Sequence, residues 1–191
     1  MFPECFLSIL KVQTGDKKDM TKILTVYYSR KGENYFGGSI RSIRTGNTER
    51  LAGYIQKAVG GDLFELETVR EYAKDYHQCT EEAMAEKKSN ARPALKKLPD
   101  SIADYDVIFL GYPNWWGTAP MAVFTFLDSF DFAGKKIVPF CTNEGSGLGT
   151  SVRDIKKECP AAEVAEGLAV RGSDAESSEA KTAAWAKRSI Q

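Results

Sequence analysis

The residues from Thr45 to Glu49 read TGNTE, and their types are suited to holding a phosphate group. Apolar residues recur at helical spacing directly after them, so the segment should lie at the beginning of a helix. The first turn of a helix carries free N–H groups and a partial positive charge, and both attract an anion. We therefore predict that Gly46, Asn47 and Thr48 bind a phosphate, with an ordinary turn as the alternative.

A second segment, SRKGEN at residues 29–34, competes for this role because it directly follows an apolar run. The residues behind it, 35–44, include two glycines and show no helical spacing. We therefore favour residues 46–48 as the phosphate loop, joined by Ser29 from the end of the run. Residues 35–44 then form an excursion, which we expect to be a small hairpin.

Two adjacent tryptophans, Trp115 and Trp116, lie in the segment PNWWGTAP among residues typical of loops. Large aromatic side chains on a loop commonly face a flat ligand, and the ring system of a flavin offers such a face. Packing in the core is the alternative for either indole. We predict that this loop borders a planar ring.

A third segment, TNEGSGLGTS at residues 142–151, contains Gly145, Gly147 and Gly149. Residues without side chains let backbone N–H groups approach a ligand closely. A glycine-rich connector without a ligand is the alternative. Each of the three segments follows an apolar run and leads into a helical pattern, so their coincidence is more informative than any one of them.

Strands must position these loops, and the runs of β-branched and aromatic residues indicate where the strands are. The predicted strands cover residues 22–28, 62–69, 107–112, 135–142 and 162–170. Continuous apolar runs are typical of strands buried on both faces of a parallel sheet. In such a sheet, ligands bind beyond the carboxyl ends of the strands. The three loops all occupy that edge.

Helical patterns alternate with these strands, which predicts an α/β fold with a doubly wound parallel sheet. One helix should follow Thr48 and another should cover residues 80–89. Three further helices should begin at capping signals. These signals are Thr118 with Pro120 in the first turn, the capping box Ser151–Asp154 and the capping box Ser173–Glu176. Pro139 cannot donate to a strand ladder, so we expect a bulge or an unpaired position there.

The composition of the chain limits the classes of function that we expect. The chain has 191 residues, with 26 basic residues balancing 26 acidic ones, so no basic surface predicts binding to nucleic acid or to an anionic membrane. The four cysteines are widely separated and there is one histidine, so we expect no metal site and reduced thiols in the cytoplasm. We expect one domain over residues 20–191, preceded by an appendage of unknown role at residues 1–19.

With these motifs identified, the chain resembles flavodoxin-like FMN-binding proteins over about residues 20–190. It is similar to a subgroup in which YYSRxGENY and GNTE are separated by an insertion and are followed by YPNWWGTAP and CTNEGSGLGTS. In flavodoxins generally, the Ser/Thr-x-Thr-Gly-Asn-Thr loop is continuous. The resemblance implies a five-stranded sheet with the strand order 2-1-3-4-5.

The resemblance also implies FMN as the cofactor and a set of residues that would contact it. The phosphate would be held by Ser29, Gly46, Asn47 and Thr48, with Asn34 as a candidate from the insertion. The isoalloxazine ring would be flanked by Pro113, Asn114, Trp115, Trp116 and Gly117. Its pyrimidine side would meet Thr142, Glu144, Gly145, Ser146 and Gly149.

Three functions fit this interpretation. The first is an FMN-dependent oxidoreductase that moves electrons from a reduced donor such as NAD(P)H to a small acceptor such as a quinone. The second is a non-enzymatic electron carrier with a protein redox partner, although carriers of this type are strongly acidic and this chain has zero net charge. The third is a binder of a phosphorylated ligand without flavin. No catalytic acid or base stands out, and the sequence does not define the oligomeric state.

Overall fold

The computed structural model describes residues 21–191, so the predicted appendage at residues 1–19 lies outside the described residues. The main sheet is parallel, and its strands are β1 (Ile23–Tyr28), β4 (Asp62–Leu66), β5 (Val107–Pro113), β6 (Lys136–Asn143), β7 (Glu163–Val164) and β8 (Leu168–Arg171). Its order is β4-β1-β5-β6, with β7 and β8 both pairing with β6. The predicted order 2-1-3-4-5 is confirmed, with the fifth strand divided in two.

The central strands are buried because their apolar side chains pack into hydrophobic cores on both faces of the sheet. In β1, Leu24 and Val26 belong to one core, whereas Ile23 and Tyr27 belong to the other. This alternation follows from the two-residue period of a strand. The sheet is therefore covered on both sides, as the continuous apolar runs predicted.

Five α-helices within residues 21–191 complete the layers. They are α1 (Asn47–Val59), α2 (Tyr76–Ser89), α3 (Met121–Asp128), α4 (Ser151–Glu158) and α5 (Glu179–Ser189). Helices α1 and α5 pack together on one face, and α3 and α4 pack together on the other. Among residues 21–191, no helix has the length and apolar character needed to cross a membrane.

The insertion before α1 is a two-stranded antiparallel hairpin, as predicted. Its strands are β2 (Gly32–Phe36) and β3 (Ser39–Ile43), so it begins somewhat earlier than the expected excursion at residues 35–44. The hairpin leaves the end of β1 and returns the chain to the beginning of α1. The predicted phosphate loop is thus far from β1 in sequence but close to it in space.

The predicted helix caps were wrong in detail. Pro120, not Thr118, precedes the first residue of α3. Thr150, not Ser151, is the residue before α4, so the Ser151–Asp154 spacing is not a capping box. Residues 172–177 form a short 3-10 helix, and α5 begins only at Glu179. In each case the residue predicted to cap the helix lies one or more residues from the residue that precedes the helix in the structure.

Pro139 pairs with Leu110 of β5 without a bulge, but the opposite side of β6 is interrupted beside it. Strand β7 pairs with Lys136 and Ile137, and β8 pairs only from Phe140 onward. Proline has no N–H with which to extend a ladder. The predicted unpaired position is therefore confirmed on that side of the strand.

Candidate functional site

The beginning of α1 presents free backbone donors. The Ser29 hydroxyl accepts a hydrogen bond from the Glu49 N–H at 3.1 Å, and the Glu49 carboxylate accepts one from the Gly46 N–H at 3.3 Å. Within residues 21–191, the N–H groups of Asn47 and Thr48 find no acceptor. Free N–H groups in the first turn of a 13-residue helix form an anion-binding site.

One hydrogen bond joins this helix start to a neighbouring strand, and two others fix the turn that leads into the hairpin. The hydroxyl groups of Thr48 and Thr142 are 2.8 Å apart and buried, which links α1 to the end of β6. The Asn34 amide donates to the carbonyl groups of Arg30 and Gly32 at 3.2 and 3.1 Å, which fixes the turn after β1. The predicted phosphate loop is thus tied to the end of β6, while Asn34 holds the turn after β1.

Trp115 is held by an aromatic cluster beneath the site. Its ring meets Tyr28 and Tyr72 edge-on, with ring centroids 5.4 and 5.0 Å apart. Such edge-to-face contacts are favourable and define the orientation of the ring. Part of the indole therefore packs against Tyr28 and Tyr72, while another part of the side chain lines the cavities described below.

Trp116 has a different environment. Its side chain is 46% exposed, and its backbone has a φ of +55°, which is unusual for a bulky residue. The indole N–H donates to the carbonyl of Thr80 in α2 at 2.8 Å, which helps to hold this conformation. Strained backbone of this kind is concentrated at ligand sites and is maintained by surrounding contacts.

The third loop is organised by two asparagines. The Asn143 side chain accepts hydrogen bonds from the N–H groups of Gly145 and Gly147 at 2.8 and 3.0 Å. The Asn114 amide donates to the Gly147 carbonyl at 2.9 Å, which connects this loop to the tryptophan loop. The N–H groups of Gly145 and Gly147 are thus used within the loop, and the Gly147 carbonyl joins it to the tryptophan loop.

Two carboxylates fasten the hairpin over the site. Glu144 accepts hydrogen bonds from the N–H groups of Ser173 and Gly37 at 2.8 and 3.2 Å, so it holds the hairpin tip. Glu33, within the hairpin, accepts one from the N–H of Tyr76 at 2.9 Å. The rings of Tyr35 and Tyr76 stack with centroids 6.4 Å apart. The hairpin and α2 therefore close the site from above.

Two neighbouring cavities lie between these elements. The smaller, about 250 Å³, includes Asn47, Glu144 and Ser146 in its lining, and the larger, about 380 Å³, includes Arg30, Thr80 and Trp116. Four residues line both: Asn34, Tyr76, Asn114 and Trp115. Ligand sites span roughly 300–1,000 Å³, so the larger cavity lies within this range and the smaller one just below it.

The structure brings together most of the residues predicted from the sequence. Those lining a cavity are Asn34, Asn47, Pro113, Asn114, Trp115, Trp116, Thr142, Glu144 and Ser146. Those outside both linings are Ser29, Gly46, Thr48, Gly117, Gly145 and Gly149. Sequence reasoning missed Tyr35, Tyr76 and Asn143. Tyr35 directly follows the GEN motif, and Asn143 lies between Thr142 and Glu144 in the third segment, whereas no local signal marks Tyr76.

The titratable groups at the larger cavity favour binding over acid or base chemistry. Burial raises the pKa of Cys79 to about 11 and also raises the pKa of Tyr76, so both remain protonated at neutral pH. Among residues 21–191, no group of three or more His, Cys, Asp or Glu side chains is placed to hold a metal ion. The site can therefore position a cofactor that brings its own chemistry.

The Asp154 carboxylate joins the tryptophan loop to the third loop. It accepts hydrogen bonds from the hydroxyl groups of Thr118 and Thr150. We predict that these hydrogen bonds stabilise the protein in a pH-dependent way. Burial alone would raise the pKa of Asp154, but these bonds hold the pKa below the usual 3.8. Because the folded pKa is depressed, the stabilisation is present above pH 3.8 and is lost as the pH falls through the folded pKa.

We expect Asp154→Asn to lower the free energy of unfolding by about 1 kcal/mol at pH 7. The difference from the wild type should shrink as the pH falls below 4, because both proteins then carry a neutral group there. Urea denaturation between about pH 3 and pH 7 measures this difference. The exposed Asp100→Asn is the control for the loss of one charge. A difference that stays constant with pH would contradict the prediction.

Comparisons with known proteins place the chain in a family. Its sequence matches the flavodoxin family profile over residues 35–188. No curated protein sequence matches it. The structure is similar to a candidate flavoprotein from Bacteroides eggerthii, with 31% identity and a TM-score of 0.72 over 90% of this chain and 99% of that one.

Two further solved structures show the same fold. A candidate flavoprotein from Bacteroides uniformis shares 28% identity, with a TM-score of 0.68 over 87% of this chain and 98% of that one. A flavoprotein from Lactobacillus acidophilus, solved in complex with FMN, shares 21% identity, with a TM-score of 0.60 over 83% of this chain and 97% of that one. With the family profile matching most of its length, the chain belongs to the flavodoxin family.

Proposed function

We propose that this flavodoxin family member binds FMN and acts as an oxidoreductase. It would move electrons from a reduced donor, with NAD(P)H as the first candidate, to a small acceptor such as a quinone. The family and the FMN complex of the Lactobacillus acidophilus flavoprotein support FMN as the cofactor. The observation that carries the proposal is the pair of free N–H groups at Asn47 and Thr48 beside the smaller cavity.

The residues present fit this cofactor. The beginning of α1 offers unpaired donors to a phosphate, and Gly46 leaves no side chain in front of Ser29. Trp115 and Pro113 offer apolar surface to a ring, and Asn47 and Thr142 line the same cavity. FMN, when bound, supplies one- or two-electron transfer. The chain's own residues would orient it, with the stacked Tyr35 and Tyr76 rings in the lining of the same cavity.

A non-enzymatic electron carrier remains the second candidate because membership of the flavodoxin family favours it. The balance of 26 basic and 26 acidic residues favours the enzyme, because a neutral chain lacks the charge that steers a carrier to its partner. The cytoplasm is the proposed location, supported by Cys79, Cys141 and Cys159. These three are free and buried among the described residues.

The visible spectrum of the purified protein after addition of FMN tests the cofactor. The test of the enzyme is anaerobic addition of NADH or NADPH, followed by a quinone. Turnover without any added reductase supports the oxidoreductase. Flavin reduction that occurs only when a partner flavoprotein or ferredoxin is present supports the carrier instead. Failure to take up FMN at all would exclude both and leave a flavin-free binder of phosphorylated ligands.

We predict that Glu144→Gln raises the reduction potential of bound FMN by tens of millivolts. The Glu144 carboxylate lines the smaller cavity, and a negative charge near the ring opposes the addition of electrons. Glutamine removes the charge but retains an oxygen that can accept a hydrogen bond from Ser173 or Gly37. An anaerobic redox titration measures the potential. Glu163→Gln, at an exposed position on β7, is the control, and equal potentials for all three proteins would contradict the prediction.

A further inference from the structure

The guanidinium of Arg30 is held in place without being neutralised. Its Nε donates to the Glu33 carbonyl and one Nη donates to the Lys74 carbonyl, both at 2.8 Å. Among residues 21–191, no acidic side chain forms an ion pair with it. A half-buried arginine fixed by carbonyl groups keeps its charge and its remaining N–H donors for an anionic partner.

Arg30 lies in the wall of the larger cavity, which has the shape and chemistry of a site for an aromatic ligand. Aromatic surface comes from Tyr76, Trp115 and Trp116, and Ala83 adds an apolar position from α2. Aromatic walls stack on flat rings, and a guanidinium at the margin forms bidentate hydrogen bonds with a carboxylate, sulfonate or phosphate. The combination selects a ligand that is both planar and anionic.

This cavity is separate from the expected phosphate position of FMN. Asn47, at the start of α1, lines the smaller cavity and not the larger, whereas Arg30 lines the larger and not the smaller. Ser29 is turned toward α1, where its hydroxyl accepts from Glu49. The Ser29 hydroxyl therefore contacts α1, whereas the side chain of the next residue, Arg30, lines the larger cavity.

Arg30 and Ser29 also line a third cavity of about 320 Å³ on the β4 side of β1, but this cavity does not suit an anion. Its lining includes the carboxylates of Glu65, Glu67 and Glu71, which repel negative charge. The two lysines of this lining are already paired with those carboxylates, Lys31 with Glu65 and Lys96 with Glu67 and Glu71, so neither is free for an anionic ligand. The larger cavity is the one in which Arg30 meets aromatic walls and no carboxylate side chain.

We infer that the larger cavity binds the electron acceptor, and that Arg30 recognises an anionic group on a planar, quinone-like acceptor. The inference rests on the proposed function, with FMN in the smaller cavity. The walls shared by both cavities, Asn34, Tyr76, Asn114 and Trp115, place the acceptor next to the cofactor. A quinone acceptor takes up two electrons and two protons from reduced FMN and leaves as the hydroquinone, while FMN returns to its oxidised form.

The experiment uses FMN-loaded protein reduced with one equivalent of dithionite under anaerobic conditions. It is mixed with 2-methyl-1,4-naphthoquinone, which is neutral, or with 1,4-naphthoquinone-2-sulfonate, and flavin absorbance reports the second-order rate constant. The two quinones differ in intrinsic reactivity, so the informative quantity is how the ratio of their rates changes on mutation. Arg30→Gln should lower the sulfonate-to-neutral ratio by roughly tenfold or more, the value of a charge-assisted hydrogen bond.

Arg44→Gln is the matched control, because it removes one positive charge from an exposed position at the end of the same insertion. Its ratio should stay within about twofold of the wild type, since long-range charge effects are screened. Ala83→Leu adds volume inside the larger cavity and should slow both quinones while the FMN dissociation constant is retained. This variant tests the location of the acceptor without relying on Arg30.

The outcomes separate this inference from the proposed function. If neither quinone reoxidises the wild-type protein, the oxidoreductase proposal fails. If both do so and Arg30→Gln leaves their ratio unchanged, the role of Arg30 is overturned. If Arg30→Gln instead weakens FMN binding tenfold with the ratio unchanged, Arg30 holds the cofactor phosphate and the inference is wrong. Equal slowing of both quinones by Arg30→Gln also contradicts anion recognition.

Discussion

Gly149→Ala should destabilise the protein by about 3 kcal/mol, because it forces apart the two loops that border the site. A Cβ at Gly149 would lie 2.2 Å from the carbonyl oxygen of Gly117 and 2.8 Å from its carbonyl carbon. Both are backbone atoms, so no side-chain rotation relieves the clash. The adjacent hydrogen bond from the Thr150 N–H to the Gly117 carbonyl, 2.7 Å long, would also be disturbed.

Gly147→Ala separates this clash from the cost of the backbone conformation. Gly147 has a φ of +60° and Gly149 a φ of +55°, so alanine is disfavoured by a similar amount at both positions. A Cβ at Gly147 meets nothing within 4 Å, so only about 1 kcal/mol should be lost there. Chemical denaturation of the three proteins gives the comparison. Equal losses for the two variants would show that the loops can move apart freely.

Gly46→Ala should weaken FMN binding by at least about 100-fold, the equivalent of losing two charge-assisted hydrogen bonds. An added Cβ would be 2.0 Å from the Ser29 hydroxyl and 2.9 Å from the Arg30 carbonyl. Ser29 can rotate away only by giving up its bond to the Glu49 N–H, and the Arg30 backbone must shift as well. Both movements disturb the beginning of α1, where Asn47 and Thr48 present their free donors. Quenching of FMN fluorescence on titration with protein measures the affinity.

Gly53→Ala is the control for Gly46→Ala, because it makes the same chemical change within α1. A Cβ at Gly53 meets nothing within 4 Å, and alanine is the better helix former. This variant should be more stable than the wild type by about 0.5–1 kcal/mol and should bind FMN with unchanged affinity. Unchanged affinity in Gly46→Ala as well would place the phosphate elsewhere.

The fold was predictable because its signals are local and repeated. The runs in β1, β5 and β6 are apolar on both faces, which in a chain of this size indicates a covered parallel sheet. The carboxyl ends of parallel strands share one edge, so the loops after these strands had to meet. That single rule predicts that Asn47, Trp115 and Glu144 lie together, and all three line the smaller cavity.

The parts that the sequence did not reveal depend on contacts distant along the chain. Helix α2 begins at Tyr76, where Asp75 accepts a hydrogen bond from the Gln78 N–H and Glu33 of the hairpin accepts one from the Tyr76 N–H. The weak helical pattern of this polar segment predicted only residues 80–89. Tyr76 joins Tyr35 at the site because of this remote contact, so Tyr76 could not be assigned from its neighbours in the sequence.

The capping patterns failed for a related reason. Asp154 has the spacing to pair with Ser151 in a capping box. Its carboxylate instead accepts hydrogen bonds from the hydroxyl groups of Thr118 and Thr150, which join two loops. A capping box specifies a local pairing, and a nearby hydroxyl from another loop can compete for the same acceptor. Sequence spacing alone does not decide which partner prevails.

The interruption beside Pro139 also bears on how the molecule behaves at high concentration. The sheet margin beyond β6 is divided into β7, with two residues, and β8, with four. Very short edge strands are one way in which proteins resist adding a foreign strand and growing into aggregates. An incoming chain would find no continuous ladder along that margin. Pro139, which lines neither cavity, thus helps to protect this edge of the sheet against the addition of a foreign strand.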